Sequence, residues 1–470
     1  MQIKIVKEKP QDKKLTEVVL NHKIAQDRLC SRNGRKILEI KTPEPKKMNL
    51  RKWIVLARKI IRTAKANREE KLFLSWRELT GHLSEKDEKH LGALFSEALE
   101  MANYDFQRYK SKPKEGWPLV KSVAISLEGW SGQARSLQAG LRRGQTVAQM
   151  VNYARELANI SGSDLTPTKL VTEIKKAIKK TPIKLQVWGE KEMKKRKMNG
   201  ILTVGQGSKE ESKFIILKYL VGNKKEKPIV LVGKGVTFDS GGLDTKPHPH
   251  ALDMMMDMSG AASVLATLLA LAKLKTKRNI IVLIPAVENM PSGSSMRPGD
   301  VIKMSNGLSV EIGHTDAEGR LILAEALIYA QKLKPKAVID VATLTGASLV
   351  ALGTKASALM TRNEELAEKI RKMSEFTGDY VWELPLWEEY EQDIIGERGD
   401  IANINTKAKP GEGSTITAGI FLWNFIKDCS NWAHLDIAPR MTAVPQEQLA
   451  KGAAAPAVRL LTELISQNEI

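Results

Sequence analysis

Cysteine is nearly missing from this chain of 470 residues: Cys30 and Cys429 are the only two, and they lie far apart. That excludes a disulfide framework and a cysteine-built zinc site. Long apolar runs are missing as well. The smoothest, over 261–272, falls well short of the ~20 residues that a membrane-spanning helix needs. The opening MQIKIVKEKPQDKK lacks the apolar core of a secretory signal. No HExxH segment occurs, so the helical zinc-protease motif is absent. These absences lead us to expect a cytoplasmic protein of a reducing compartment, with no membrane partner.

What is present is ordinary in bulk and uneven in distribution. A chain 42% hydrophobic and 27% charged has the balance of a globular protein. Its length fits two or three domains and allows a large core. The net charge of +20 is concentrated in one half. Residues 1–230 carry a surplus of +25, and residues 231–470 are at −5. The two halves are therefore expected to do different work.

Residues 1–150 mix short apolar runs with lysine-rich helical stretches. Trp53, Ile54, Leu56, Ala57, Ile60 and Ile61 recur at helical spacing and predict an amphipathic helix with a basic face. The segment GQTVAQMVNYARELANI predicts another helix. It ends near SGSDLTP, a cluster of turn and cap residues taken as the join between domains. Beyond it the pattern is strand, glycine-rich loop, helix, repeated. KPIVLVGKG, NIIVLIPAVENMPSG, PKAVIDVATLTGA and WAHLDIAP supply strands, and MSGAASVLATLLALAKLK and the end of HTDAEGRLILAEALIYAQKLK supply helices. The expectation is an α/β fold in two domains. Residues 1–150 form a smaller N-terminal α/β domain, and residues 151–470 a larger one whose mostly parallel mixed sheet is covered by helices. In such sheets ligands sit beyond the carboxyl ends of the strands.

Three segments bring acids and lysines beside glycine. GKGVTFDSGGLDTKP holds Lys234, Asp239, Asp244 and Lys246; LDMMMDMSGAA holds Asp253 and Asp257; HTDAEGRL holds Asp316, Glu318 and Arg320. Carboxylates drawn to one sheet edge repel one another unless cations hold them. Oxygen-rich clusters of this kind suit divalent metals, and paired ions are a hydrolytic device. A lysine joins such a shell only as the neutral amine, which a nearby metal charge favours. Each feature alone has a plainer reading. Asp-Ala-Glu-Gly also suits a helix N-terminus, His248 and His250 suit a surface turn, and the methionine run 254–258 suits a core with at most one side chain lining a pocket. GKG lacks the spacing of a phosphate loop, and Gly235 stands where that loop needs a hydroxyl.

Taken together, the segments resemble the leucine aminopeptidase family, the two-metal cytosol aminopeptidases. The family's Asn-Thr-Asp-Ala-Glu-Gly-Arg-Leu octapeptide appears as HTDAEGRL over 314–321, and ENMPSG, ATLTGA, ITAGIFL and WAHLDIAP follow the family's blocks in order. The likeness covers roughly residues 150–470, so residues 151–470 become the expected catalytic domain. The resemblance implies that Lys234, Asp239, Asp257 and Glu318 hold a tighter metal, and Asp239, Asp316 and Glu318 a more exchangeable one. The metals are expected to be Mn²⁺ or Zn²⁺, two per chain. Lys246 and Arg320 match the catalytic positions, the first for the oxyanion and the second as the seat of a bicarbonate ion that relays the proton. Met254, Thr343, Leu344 and Gly346 match substrate-binding positions. The implied activity is removal of an amino-terminal residue, preferably Leu, Met or another apolar one, from peptides by a hydroxide that bridges the metals. The implied assembly is a homohexamer, a dimer of trimers with its active sites facing an interior cavity. His314 departs from the family's asparagine, and SGSDLTP departs from its usual linker.

A different class of function is a nucleic-acid-binding regulatory protein on the same scaffold, prompted by the basic half. Against it, clusters such as EIKKAIKK and KEMKKRKMNG are lysine-dominated and lack interleaved aromatics, as a solvated surface would. The sequence does not name the physiological peptides.

Overall fold

The computed structural model describes residues 1–7, 12, 14–84, 87–409 and 411–470. The expectation for the chain's opening falls partly on residues 8–11 and 13, outside the described residues. The chain divides into two compact units, Met1–Asn152 with Ala443–Gly452, and Tyr153–Thr442 with Ala453–Ile470. The division falls inside the helix Ala134–Ala158, ahead of SGSDLTP. The short return Ala443–Gly452 belongs to the first unit because contacts such as the Arg58 Nη1 bond to the Glu447 carbonyl hold it there.

Among the described residues, the first unit is built on a six-stranded sheet: β1 (Gln2–Val6), β2 (Thr16–Asn21), β3 (Arg28–Arg32), β4 (Arg35–Lys41), β5 (Lys71–Ser75) and β6 (Ser122–Ser126). Their spatial order is β1-β6-β5-β2-β4-β3, and only the β3–β4 pair is antiparallel. The basic amphipathic helix is Leu50–Ala66, and it buries Trp53, Ile54, Leu56, Ala57, Ile60 and Ile61 as its spacing requires. Asn49 caps it by accepting the Lys52 N–H. Trp53, Trp76 and Phe95 meet at centroid distances of 5.4–6.3 Å and anchor this core.

The second unit holds a nine-stranded sheet among the described residues. Its strands are β7 (Lys184–Trp188), β8 (Lys213–Leu220), β9 (Ile229–Gly233), β10 (Gly235–Asp239), β11 (Asn279–Asn289), β14 (Ala337–Ala342), β15 (Ser357–Met360), β16 (Val381–Glu383) and β18 (Trp432–Asp436). A smaller sheet joins β12 (Val301–Lys303), β13 (Ser309–Glu311) and β17 (Ile401–Ala402). The order in the main sheet is β16-β15-β18-β14-β9-β11-β8-β7, with β10 pairing to β11. Its centre, β18-β14-β9-β11, is parallel, and its flanks carry antiparallel pairs. β9, β14 and β18 are buried at every residue, as strands covered on both faces must be. The expected mixed α/β architecture is the one present.

Two helices cover this centre. Gly319–Lys332 packs Leu321, Leu323 and Leu327 into one core with Val230, Val232, Ile281 and Val338. Ser259–Lys273 lies against β9 and β14 and is buried from Ser259 to Leu271. With the turn before it, the stretch Met254–Lys273 is long and apolar enough to cross a membrane, yet 89% of its most apolar 18 residues are packed inside the protein. That is the burial of a core helix.

Candidate active site

The carboxyl ends of the parallel strands converge on one cavity. β9 ends at Gly233 and delivers Lys234; β10 ends at Asp239, β14 ends beside Thr343, and β18 ends at Asp436. A tight turn at Gly241 and Gly242, both at positive φ, folds the chain back to place Lys246. A side chain at Gly241 would meet the Asp244 carbonyl at 2.4 Å, so only glycine fits. Gly319 serves close approach instead: a Cβ there would lie 2.6 Å from Lys234 Cε. The glycine of Asp-Ala-Glu-Gly therefore leaves room for the lysine 85 positions earlier in the chain, at 234.

The charged groups form two linked clusters. Lys234 Nζ lies 2.8 Å from Asp257 Oδ2 and 2.8 Å from Glu318 Oε1, and it donates to the Thr343 carbonyl at 2.9 Å. Lys246 Nζ lies 2.8 Å from Asp239 Oδ2 and pairs also with Asp316 Oδ1. Asp239, Asp316 and Glu318 each bring an oxygen to within 4.8 Å of the others. Such crowding has an electrostatic cost. Burial, then the charges of Asp239 and Glu318, push the Asp316 carboxyl up to about 7. Burial raises Asp257 well above the carboxylate range, against the pull of Lys234. Burial pulls both lysines down, but Asp257 and Glu318 around Lys234, and Asp239, Glu318 and Asp316 around Lys246, hold them above their ordinary value.

The donor set fits divalent cations. Asp257 Oδ2, Asp316 Oδ1 and Glu318 Oε1 are buried, and the close polar neighbour described for each is a lysine ammonium. Four carboxylates of hard oxygen match the ligand chemistry of such ions. Lys234, an ammonium while it pairs with Asp257 and Glu318, would join them only as the neutral amine beside a bound metal charge.

A cavity of about 900 Å³ opens over these groups. It is lined by Lys234, Asp239, Lys246, Met254, Asp257, Asp316, Thr343, Leu344 and Gly346 among others. Nine of the eleven residues singled out from the sequence thus share one space. Glu318 is buried beneath it at 1% exposure. Arg320 faces an adjoining cleft of about 720 Å³, which Asp316, Leu344 and Gly346 also line. Its guanidinium donates to the Asn403 carbonyl at 2.7 Å, and burial lowers it to about 10, so it stays charged at neutral pH. Of the methionine run, Met256 and Met258 are core and Met254 lines the cavity. His248 and His250 are exposed, and His250 sits at the cavity wall.

Sequence reasoning missed Asn289 and Asn403, which brace this arrangement, and did not assign the bracing bonds of Asp244, Thr343 and His314. Asn289 donates to Asp239 Oδ1 at 2.9 Å and to the Thr315 carbonyl. Asn403 accepts from the Gly313 and His314 N–H groups and donates to the His314 carbonyl. Asp244 accepts the Thr315 N–H at 2.7 Å. Thr343 Oγ1 donates to Asp257 Oδ1 at 2.6 Å. His314 is exposed, and its Nδ1 accepts the Asp316 N–H at 3.1 Å.

Residues 152–462 match the profile of the cytosol aminopeptidase family, catalytic domain. The chain belongs to the cytosol aminopeptidase family. It is similar to the probable cytosol aminopeptidase of Azotobacter vinelandii, 42% identical over 374 residues that span 79% of this chain and 73% of that one. It is 40% identical to the corresponding protein of Methylobacillus flagellatus over 372 residues, with the same two coverages. Among solved structures it is similar to the bottromycin maturation enzyme BotP, with a TM-score of 0.85 and 27% identity over 97% of this chain and 99% of that one. BotP is also known in complex with Mn. The cytosol aminopeptidase family comprises metal-dependent hydrolases, and the carboxylate cluster is consistent with that chemistry.

Proposed function

We propose that this protein is a leucyl-type aminopeptidase that removes apolar amino-terminal residues, Leu and Met foremost, from peptides. The observation that carries the reading is the meeting of Lys234, Asp239, Asp257, Asp316 and Glu318 at one cavity floor, with Lys246 beside them. Lys234, Asp239, Asp257 and Glu318 would hold one divalent ion, and Asp239, Asp316 and Glu318 a second. Mn²⁺ and Zn²⁺ are the candidates, and the Mn complex of BotP supports Mn²⁺ as the probe. Bound there, the ions supply Lewis acidity toward the scissile carbonyl and a water-derived nucleophile at neutral pH.

The chain's own residues do the rest. Lys246, beside Asp239 and Asp316, would donate toward the oxyanion as that charge develops. Arg320 offers a charged planar fork for bicarbonate. The substrate's free amine would bind beside Asp257, at the ion that Lys234, Asp239, Asp257 and Glu318 would hold. Met254 lends a flexible apolar wall to the first side-chain pocket, with Thr343, Leu344 and Gly346 around it.

Residues 151–470 carry this chemistry in the proposal, and residues 1–150 form a separate basic domain. The resemblance supports a cytoplasmic homohexamer. The basic clusters are read as solvated surface: Lys176, Lys194 and Arg196 pair with Glu173, Glu190 and Glu192 on their own helices, and Arg196 lies over the Trp188 ring at 4.0 Å. The test is hydrolysis of a leucyl chromogenic amide with Mn²⁺, with and without a chelator. Activity that chelation abolishes and Mn²⁺ restores is the expected result. Activity indifferent to chelation, or none with any divalent ion, overturns the reading.

A further inference from the structure

The carboxylate that ends β18 is used by none of the steps above. Asp436 is fully buried at 0% exposure. Its Oδ1 accepts the Leu344 N–H and the Ala438 N–H, each at 3.1 Å. Its Oδ2 accepts the Thr345 N–H at 3.1 Å and the Thr345 hydroxyl at 2.6 Å. A carboxylate offers about four acceptor sites, so Asp436 is saturated and has none left for a substrate. Without these donors a buried carboxylate would be costly.

The donors come from two separate segments, and both line the cavity. Leu344, Thr345 and Gly346 form one stretch of its lining, and Ala438, Pro439, Met441 and Thr442 form a neighbouring one. Capturing the Leu344 N–H also orients the peptide before it. In a planar trans peptide the carbonyl points opposite the N–H, and the Thr343 carbonyl turns to Lys234 Nζ at 2.9 Å. One side chain therefore fixes two neighbouring stretches of cavity lining and bears on the seat of Lys234.

Polar groups continue behind it on the same sheet face, since alternate residues of a strand point one way. His434 Nδ1 pairs with Asp340 Oδ1, and Trp432 Nε1 donates to Asp340 Oδ2 at 2.8 Å. Thr345 extends the network forward to the Thr415 hydroxyl at 2.9 Å. An apolar core of equal volume would be no less stable than this buried row, which favours a role in shaping the site.

We infer that Asp436 is a positioning residue of the aminopeptidase: it ties together the two neighbouring stretches of cavity lining that meet the substrate and touches no substrate itself. The inference rests on the functional reading above. Asp436→Asn keeps the shape but turns an amide group toward the donors of Thr345. With leucyl amide and Mn²⁺, KM should rise about tenfold or more, the scale of a lost charged hydrogen bond. The loss in kcat should be smaller, bound metal should stay at the wild-type level, and the preference for Leu over Ala should narrow. Thr345→Val removes one hydroxyl and should raise KM in the same direction, and Thr345→Ser should restore it. Amide hydrogen exchange at Leu344 and Thr345 should quicken in Asp436→Asn while β14 keeps its protection.

A folded, metal-loaded Asp436→Asn protein with wild-type KM and selectivity overturns the inference. So does a loss of activity that follows only metal content or melting temperature. If Asp436→Asn does not fold, Thr345→Val decides, and an unchanged KM there overturns the inference. If the wild type cleaves no amino-terminal residue, the functional reading falls, and unchanged exchange at Leu344 and Thr345 would separately sink the positioning role.

Discussion

The Lys246 ammonium lies 2.8 Å from Asp239 Oδ2, and the Asp316 carboxylate reaches the same ammonium from the other side. Asp239, Glu318 and Asp316 hold this lysine above its ordinary value although burial works against it. A charge held in place before the reaction is worth more than one recruited during it. Lys246→Ala should therefore lower kcat by roughly 10²–10³ with metal content unchanged. A variant that turns over at the wild-type rate would remove Lys246 from its proposed role.

Metal content gives a second prediction. Elemental analysis after loading with Mn²⁺ should find two ions per chain, and Asp257→Ala should lose the tighter one with nearly all activity. Loading should also raise the melting temperature, since a ligand at 100 times its Kd adds about 2.7 kcal/mol to stability. A thermal scan indifferent to Mn²⁺, Zn²⁺ and Co²⁺ would count against a metal site at these residues.

Specificity follows from the cavity wall. Met254 lines it beside Thr343, Leu344 and Gly346, while acids occupy its floor. Substrates beginning with Leu or Met should have a higher kcat/KM than those beginning with Asp or Glu. An N-acetylated peptide should be refused, having no free amine to bind beside Asp257. Faster cleavage of an acidic amino terminus would refute the pocket assignment.

Glu325 offers a pH test away from the metal site. It is buried on the helix Gly319–Lys332, where its Oε1 accepts the Gly200 N–H at 3.0 Å and its Oε2 has no hydrogen bond. Burial lifts it from 4.5 to about 7. The folded state thus holds a proton that the unfolded state releases near 4.5. This contribution is full below pH ~4.5 and is lost progressively as pH rises to ~7, on the order of 3 kcal/mol. Glu325→Gln should remove that slope. Urea unfolding of both proteins at pH 5 and pH 8 measures it, and equal slopes would disprove the assignment.

The basic half yields a negative expectation. Charge reversal at Lys194, Lys195, Arg196 and Lys197 should leave peptidase activity intact, because the proposed ligands all lie after residue 230. A gel-shift titration with duplex DNA at ~150 mM salt should show no specific complex, since lysine supplies point charges without base readout. A discrete shift at that salt would revive the nucleic-acid reading.

Much of this protein was legible in its sequence because local patterns have local causes. The apolar runs of β9, β14 and β18 mark strands buried on both faces, and the spacing from Trp53 to Ile61 marks one face of a helix. The three acid-and-glycine segments announced their residue types, and HTDAEGRL with its companion blocks announced the family. Tertiary structure alone decided which distant groups would serve them. Asn289, Asn403 and Asp436 are unremarkable by position; they matter because strand order brings them to Asp239, Arg320 and Thr345. The same holds for Ala443–Gly452, which joins the first unit, and for Arg320, which faces the adjoining cleft. Hydrophobic period reports what a residue's own strand or helix buries. It is silent about which strand lies next door, and most of the hydrogen bonds that brace this site join segments far apart in the chain.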